Sequence, residues 1–249
     1  MEQPNQETMT IVEHLRELRR RLIVILSALA AGSLFGWFCS DRAIHFLACQ
    51  VGQFVFFHPT EAFFCRLDMA LSLGFIVASP VIMGELWLFV VPGLLPGEAR
   101  FFRRWVPLVI ILFAVGMAFG YFAVYPLALR FFFHMGNGLS AMIGIQRYLG
   151  FLWTWIFPFG LMFEVPLVLV VLAKLGIVDA GRLRKKRKYF LFGAFILAIF
   201  ICPSEIVLQF LIAFPLALLY ELSIPLVARV RLVTLHDDVG EEVQAESYE

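Results

Sequence analysis

One stretch limits what this chain can fold into more than any other. The apolar run from Leu149 to Ala173 holds a single ionisable side chain, Glu164, far from either end. As a helix the run is roughly 38 Å long, enough to cross a hydrocarbon core of ~30 Å with some tilt. A carboxylate at that depth costs about 2.5 kcal/mol or more if it faces lipid. Glu164 is therefore expected to face a partner, a water-filled hollow or a substrate path. Two residues on, Pro166 removes a backbone N–H, which kinks the helix and frees the carbonyl of Met162. The plainer alternative is a protonated glutamate bonded to a neighbouring helix.

Composition says the same of the whole chain. Hydrophobic residues make up 61% of the 249, and Phe alone supplies 28. Soluble domains sit nearer ~45–50%. This is an integral membrane protein, with no room for a large soluble domain between residues 22 and 228. The net charge of +1 carries no nucleic-acid signal.

Further spans are expected at Leu22–Phe38, Leu67–Val91, Trp105–Tyr125, Tyr189–Ile201 and Ile206–Ala228. The second contains Pro80 and Glu85, the third Gly116 and Gly120 in a GxxxG pair, and the last Pro215, Glu221 and Pro225. The stretch Tyr189–Ile201 is short for a span, so those last two segments either thin the bilayer locally or form one buried hairpin; two short spans are preferred. Residues 39–66 and 126–148 read as loops. Thr10 and Glu13 form a capping box for a helix carrying Leu15, Leu18 and Leu22 on a basic stem, a pattern suited to the membrane interface. An export signal at Arg20-Arg21 is the lesser alternative, because the apolar run after it is longer than such signals carry. The organisation expected is a cytoplasmic stem over 1–21, a six-span domain over 22–228 and a disordered acidic cytoplasmic tail over 229–249.

Of the 20 Lys and Arg, sixteen fall in the stem, the loop at 92–104, the region 174–188 and the tail. The other face keeps Arg42, Arg66, Arg130 and Arg147. The positive-inside rule then places both termini in the cytoplasm. Cys39, Cys49, Cys65 and Cys202 fall on the outer side, where free thiols are expected over disulfides. No metal spacing, phosphate-binding loop or hydrolase motif is present, so no enzyme, cofactor or metal site is expected. A proton-coupled small-solute secondary transporter, with Glu85, Glu164 and Glu221 as a relay, is a rival reading. The lack of an inverted repeat counts against it. A scaffold for other membrane helices is a third.

Several segments together resemble the TatC family, the multispan core subunit of the twin-arginine protein translocase. They are His14-Leu15-Arg16-Glu17-Leu18-Arg19-Arg20-Arg21-Leu22, Ser79-Pro80-Val81-Ile82 onward through Trp87, Phe89 and Pro92 to Glu98, Gly116 to Phe122, Phe163-Glu164-Val165-Pro166, and Leu183-Arg184-Lys185-Lys186-Arg187. The match runs from about Ile11 to Val227 in one order. It implies a six-helix, all-α, glove-like concave fold in the cytoplasmic (inner) membrane of a bacterium or archaeon. The implied function is a receptor for the signal peptides of folded cargo, exported by the proton-motive force. It implies single-span TatA- and TatB-type partners, contact with membrane lipids, and a homo-oligomer within the receptor complex. Glu17 and Glu98 match the glutamates that hold the arginine pair, and Arg19 and Phe89 match further positions of that site. Glu164 matches the pocket glutamate. Tyr121 and Gln209 match contacts for a partner helix, near Ile199. Where the family has Thr-Pro-Pro-Asp this chain has Cys202-Pro203-Ser204-Glu205, which keeps a carboxylate at Glu205 but replaces a hydroxyl at Cys202. Leu95-Pro96-Gly97 before Glu98 is also less polar than the family pattern.

Chemistry agrees with the implied site, since carboxylates are the natural bidentate partners of guanidinium groups. The competing expectation for Glu17 is a local helix pair with Arg20 or Arg21, worth only ~0.3–0.5 kcal/mol. For Glu98 it is a pair with Arg100 or Arg103.

Overall fold

The structure, a computed structural model, describes residues 11–51, 54–55, 58–90, 104–136, 142–202 and 206–246, with side chains in the last helix described as far as Arg229. The chain divides into two compact units, residues 1–157 and 158–249.

The first unit is built on a helical hairpin. Helix α1 runs Ile11–Val51 and α2 runs Pro59–Val90. Small residues decide how closely they pack. A Cβ on Gly32 would lie 2.6 Å from the carbonyl oxygen of Gly74, and one on Gly74 would lie 2.5 Å from Cα of Ser33. One on Gly36 would strike the carbonyl oxygen of Ala70. Glycine here removes the side chain so that two backbones can touch, as in small-residue membrane helix interfaces. An ion pair, Arg66 Nη2 to Asp41 Oδ1 at 2.5 Å, joins the same helices at an exposed position and adds little. Pro80 inside α2 cannot donate to the carbonyl of Ile76. The hydroxyl of Ser79 donates to that oxygen instead, at 2.8 Å, so the helix continues without an orphaned acceptor.

Next come α3 (Val106–Phe119), a π-helical turn (Gly120–Val124), α4 (Tyr125–Met135) and α5 (Ile145–Phe163). In the wide turn the N–H of Tyr125 reaches back to the oxygen of Gly120. Pro126 explains it, since its ring would collide with the carbonyl of Phe122 in a regular helix, and widening by one residue relieves the clash. Two short strands, β1 (Phe54–Val55) and β2 (Ile143–Gly144), pair in parallel with Phe54 opposite Ile143. Met69, Phe113, Leu149, Leu152 and Trp155 form the centre of this unit. Phe75 packs against both Phe113 and Phe157.

The second unit holds the end of α5 with α6 (Val165–Lys174), α7 (Ala180–Ile201) and α8 (Ile206–Glu246). Gly176, at φ 71°, closes α6; the N–H of Ile177 returns to the oxygen of Leu172 and that of Gly176 to the oxygen of Ala173. Asp179 then caps α7, its side chain accepting from the N–H of Arg182 at 2.7 Å. Leu208, Ile212, Leu216, Leu219 and Val227 line the buried stripe of α8. The hydroxyl of Tyr220 donates to the oxygen of Leu183 at 2.9 Å, and its ring stacks on Phe190 at 3.9 Å.

Large apolar side chains cover the exteriors of both units, Phe38 at 75% and Phe200 at 82% exposure among them. Lipid solvates such a surface and water does not. Among the described residues five helical stretches are long and apolar enough to span: Val12–Gln50, Pro59–Phe89, Val106–Met135, Ile145–Lys174 and Ile206–Arg229. The sixth rod, α7, is apolar only from Tyr189 onward, as the sequence foretold.

Two expectations need correction. The loop expected at 39–66 is largely helix, because α1 continues to Val51 and α2 begins at Pro59, a proline at the first helical position where its missing N–H costs nothing. The loop expected at 126–148 contains α4 and the start of α5. Helix α1 carries the stem residues and the first span in one rod. The last helix runs to Glu246. The proposed cap Thr10 lies outside the described residues. Cys39, Cys49, Cys65 and Cys202 form no disulfide among the described residues.

Candidate functional site

Helical spacing puts His14, Glu17 and Arg21 on one face of α1, and Glu85 and Phe89 on one face of α2. The hairpin brings these faces together. Arg21 donates from Nε to Glu17 Oε1 at 3.0 Å, and its Nη2 bonds the same oxygen. Its Nη1 donates to Glu85 Oε2 at 2.8 Å, 64 residues away in sequence. One turn toward the N-terminus, His14 stacks on Phe89 with ring centroids 4.5 Å apart. The three charged side chains keep 17%, 23% and 25% of their surface, so the clamp is screened but not dry. Two donors converge on Glu17 Oε1, while Oε2 of the same carboxylate is buried without a hydrogen bond among the described residues. The arrangement is a carboxylate pair holding one guanidinium.

This answers the sequence reading in part. Of the two local partners considered for Glu17, Arg21 is the one engaged. Phe89 joins the same cluster, whereas Arg19 is exposed. Glu98 lies outside the described residues. The sequence argument missed Glu85 and His14 as neighbours of Glu17. A signal existed, since Glu85 is an ionisable residue inside an apolar span, but it was read as a relay member.

Tyr121 lies in the π-helical turn, where its hydroxyl accepts from Gln50 Nε2 at 2.8 Å. Its ring is parallel to that of Tyr125 at 6.0 Å, and Tyr125 in turn bonds Tyr148 through the hydroxyls.

In the second unit Glu164 occupies the break between α5 and α6. Its N–H turns back to the oxygen of Leu161 at 3.1 Å, and α6 restarts with Pro166 in its first turn. The helix is interrupted beside Pro166, and Glu164 sits half-buried at the break. Gln209 is buried at 6% exposure, and its Nε2 donates to the backbone oxygen of Cys202 at 3.2 Å. Ile199 faces outward on α7. Glu205 lies outside the described residues. Of the rival relay, Glu85 is committed to Arg21 and Glu221 to Arg187 at 2.6 Å. Among the described residues no three His, Cys, Asp or Glu are placed to hold a metal ion.

A family profile described as "TatC: Sec-independent protein translocase protein (TatC)" matches residues 13–215. The chain belongs to the TatC family. The relatives it resembles include the Sec-independent protein translocase protein TatC of Carboxydothermus hydrogenoformans, 41% identical over 87% of this chain and 91% of that one. Another is TatCy of Bacillus subtilis, 34% identical over 87% of each. Among solved structures, the crystal structure of the twin arginine translocase receptor TatC superposes with a TM-score of 0.77 at 36% identity, covering 88% of this chain and all of the other. The clamp, Glu164 and Gln209 all fall inside the TatC match. Family and helices together make this a multi-pass membrane protein of all-α class, built as its TatC relatives are.

Proposed function

We propose that this chain is the signal-peptide receptor and core subunit of the twin-arginine translocase, exporting folded proteins across the cytoplasmic membrane with the proton-motive force. The observation that carries the proposal is the clamp: a TatC-family chain whose Glu17 and Glu85 already hold a guanidinium. Glu17 meets one arginine of the signal and Glu98 the other, while Phe89 packs against the peptide and Arg19 faces the headgroups. Glu164, at the helix break, holds the inserted peptide deeper in the membrane. The transporter reading finds no support, because two of its three carboxylates are paired with arginines. The direct test is rescue of export in a cell lacking its own multispan subunit. Export of a twin-arginine reporter is expected when this chain is supplied with its single-span partners. A folded, membrane-inserted chain that restores none would sink the proposal.

Both termini are cytoplasmic in this reading, on the strength of the sixteen basic residues assigned to that side. A cysteine at Gly138 should react with an impermeant reagent added from outside, and one at Arg184 should not. The reverse pattern would invert the topology.

A single-span TatA- or TatB-type helix docks on the second unit near Ile199, Cys202 and Gln209, with Glu205 as a further polar contact; Tyr121, in the first unit, is a polar contact position of its own. Gln209 spends one amide hydrogen on Cys202, which leaves its second for a partner worth ~0.6–2 kcal/mol. A photo-crosslinker at Ile199 should capture a small single-span protein. Lipid adducts alone, in cells that contain the partner, would count against the docking face.

A further inference from the structure

Helix α7 changes character abruptly. The run Arg182-Leu183-Arg184-Lys185-Lys186-Arg187-Lys188 gives way at Tyr189 to residues without charge as far as Ile201. On a membrane helix such a junction marks headgroup level, because basic side chains reach for phosphates and tyrosine prefers the interface. A pocket of about 690 Å³ opens beside this junction. Leu169 of α6, Val178 of the linker, Leu183 and Phe190 of α7 and Tyr220 of α8 make its apolar wall, and Arg182 and Lys186 stand at its edge.

Three features make this a built pocket. Its walls are fastened, since Tyr220 bonds the oxygen of Leu183 and stacks on Phe190. Arg182 is held in place, Nε lying 3.1 Å from Asp179 Oδ2 and Nη1 donating to the oxygen of Ile177 at 3.1 Å. Lys186, one turn further along the same face, has no acidic partner among the described residues. The nearby acids are spoken for: Asp179 caps α7 and pairs with Arg182, and Glu221 pairs with Arg187. The mouth therefore keeps positive charge above an apolar floor.

We propose that this pocket binds an anionic phospholipid, its phosphate on Lys186 and Arg182 and the upper part of one acyl chain along Leu169, Phe190 and Tyr220. Charge selects the headgroup, as it does in basic pockets between membrane helices generally. The apolar floor selects a lipid over a free phosphate, which has nothing to place there. This site is separate from the arginine clamp and does not depend on it.

The test uses the full chain purified in mild detergent, exchanged with vesicles of equal phosphatidylglycerol and phosphatidylcholine, and examined by native mass spectrometry. The wild type should retain phosphatidylglycerol about ten-fold more tightly than phosphatidylcholine, the scale of one charge-assisted contact. Lys186→Ala should abolish that preference and Lys186→Arg should keep it. Leu169→Trp, which fills the floor, should reduce retention of phosphatidylglycerol while the charge remains. Lys185→Ala, outside the lining, should change nothing. Equal retention of the two lipids by wild type, or an unchanged preference in Lys186→Ala, would overturn the proposal. Displacement of the bound lipid by millimolar inorganic phosphate would reassign the pocket to a soluble anion, which also overturns it.

Discussion

Glu17→Gln and Glu98→Gln should each weaken binding of a twin-arginine signal peptide by roughly ten- to a hundred-fold, the equivalent of losing one charge-assisted hydrogen bond of about 1.5–3 kcal/mol. The amide keeps the size of the side chain and removes its charge, so packing of α1 is spared. Glu85→Gln should weaken binding as well, by a route the clamp makes visible. With Glu85 neutral, Arg21 leans wholly on Glu17 and competes harder with the incoming arginine. A twin-lysine peptide should discriminate less between wild type and these variants, because an ammonium cannot make the two-pronged contact a guanidinium makes. Glu164→Leu should leave this first binding step unchanged and reduce deep insertion of the peptide. If Glu17→Gln and Glu98→Gln both retain full affinity and the same preference for arginine, the receptor lies elsewhere on the chain.

The other large effect concerns the α1–α2 hairpin, on which the clamp depends. Gly36→Leu and Gly74→Leu should each destabilise the protein by about 3 kcal/mol or more, at the upper end of overpacking costs. The obstacle in each case is backbone of the facing helix, which cannot swing aside as a side chain can. Thermal unfolding in detergent and the amount of protein in the membrane report the effect. Gly150→Ala and Gly193→Ala provide the contrast, since a Cβ at either meets nothing within 4 Å. Replacing glycine inside a helix at such positions should be neutral or stabilising by ~0.5–1 kcal/mol. A Gly36→Leu protein that unfolds at the wild-type temperature would show that the helices need not approach so closely.

Hydropathy read the membrane-spanning parts well, because transfer into lipid is the dominant constraint on those residues. It read the helix ends poorly for the same reason. Asp41, Arg42 and His45 mark where α1 leaves the apolar layer, yet the helix continues to Val51 with Leu47 still buried. Charge marks the edge of the membrane, not the end of the hydrogen-bonded ladder. Pro166 announced the break in the helix, since a missing N–H is a local property. Pro126 did not announce the π-helical turn, which depends on how the chain absorbs a clash over several residues. The parallel pairing of Phe54–Val55 with Ile143–Gly144 joins segments far apart in sequence, and nothing local encodes it. At the clamp, Glu17 and Phe89 were legible through the family likeness. Glu85 was visible as an oddity and became intelligible only when α2 was seen to set it against Arg21.

The clamp also sets a stoichiometry. Two carboxylates around one guanidinium leave a single unit of negative charge. One arriving arginine brings the cluster to neutrality, and a second would leave it cationic. A receptor for paired arginines therefore needs another acid outside the hairpin, and the loop carrying Glu98 has one in its sequence. In the function proposed above, the acids of the hairpin account for one arginine of the pair and Glu98 for the other.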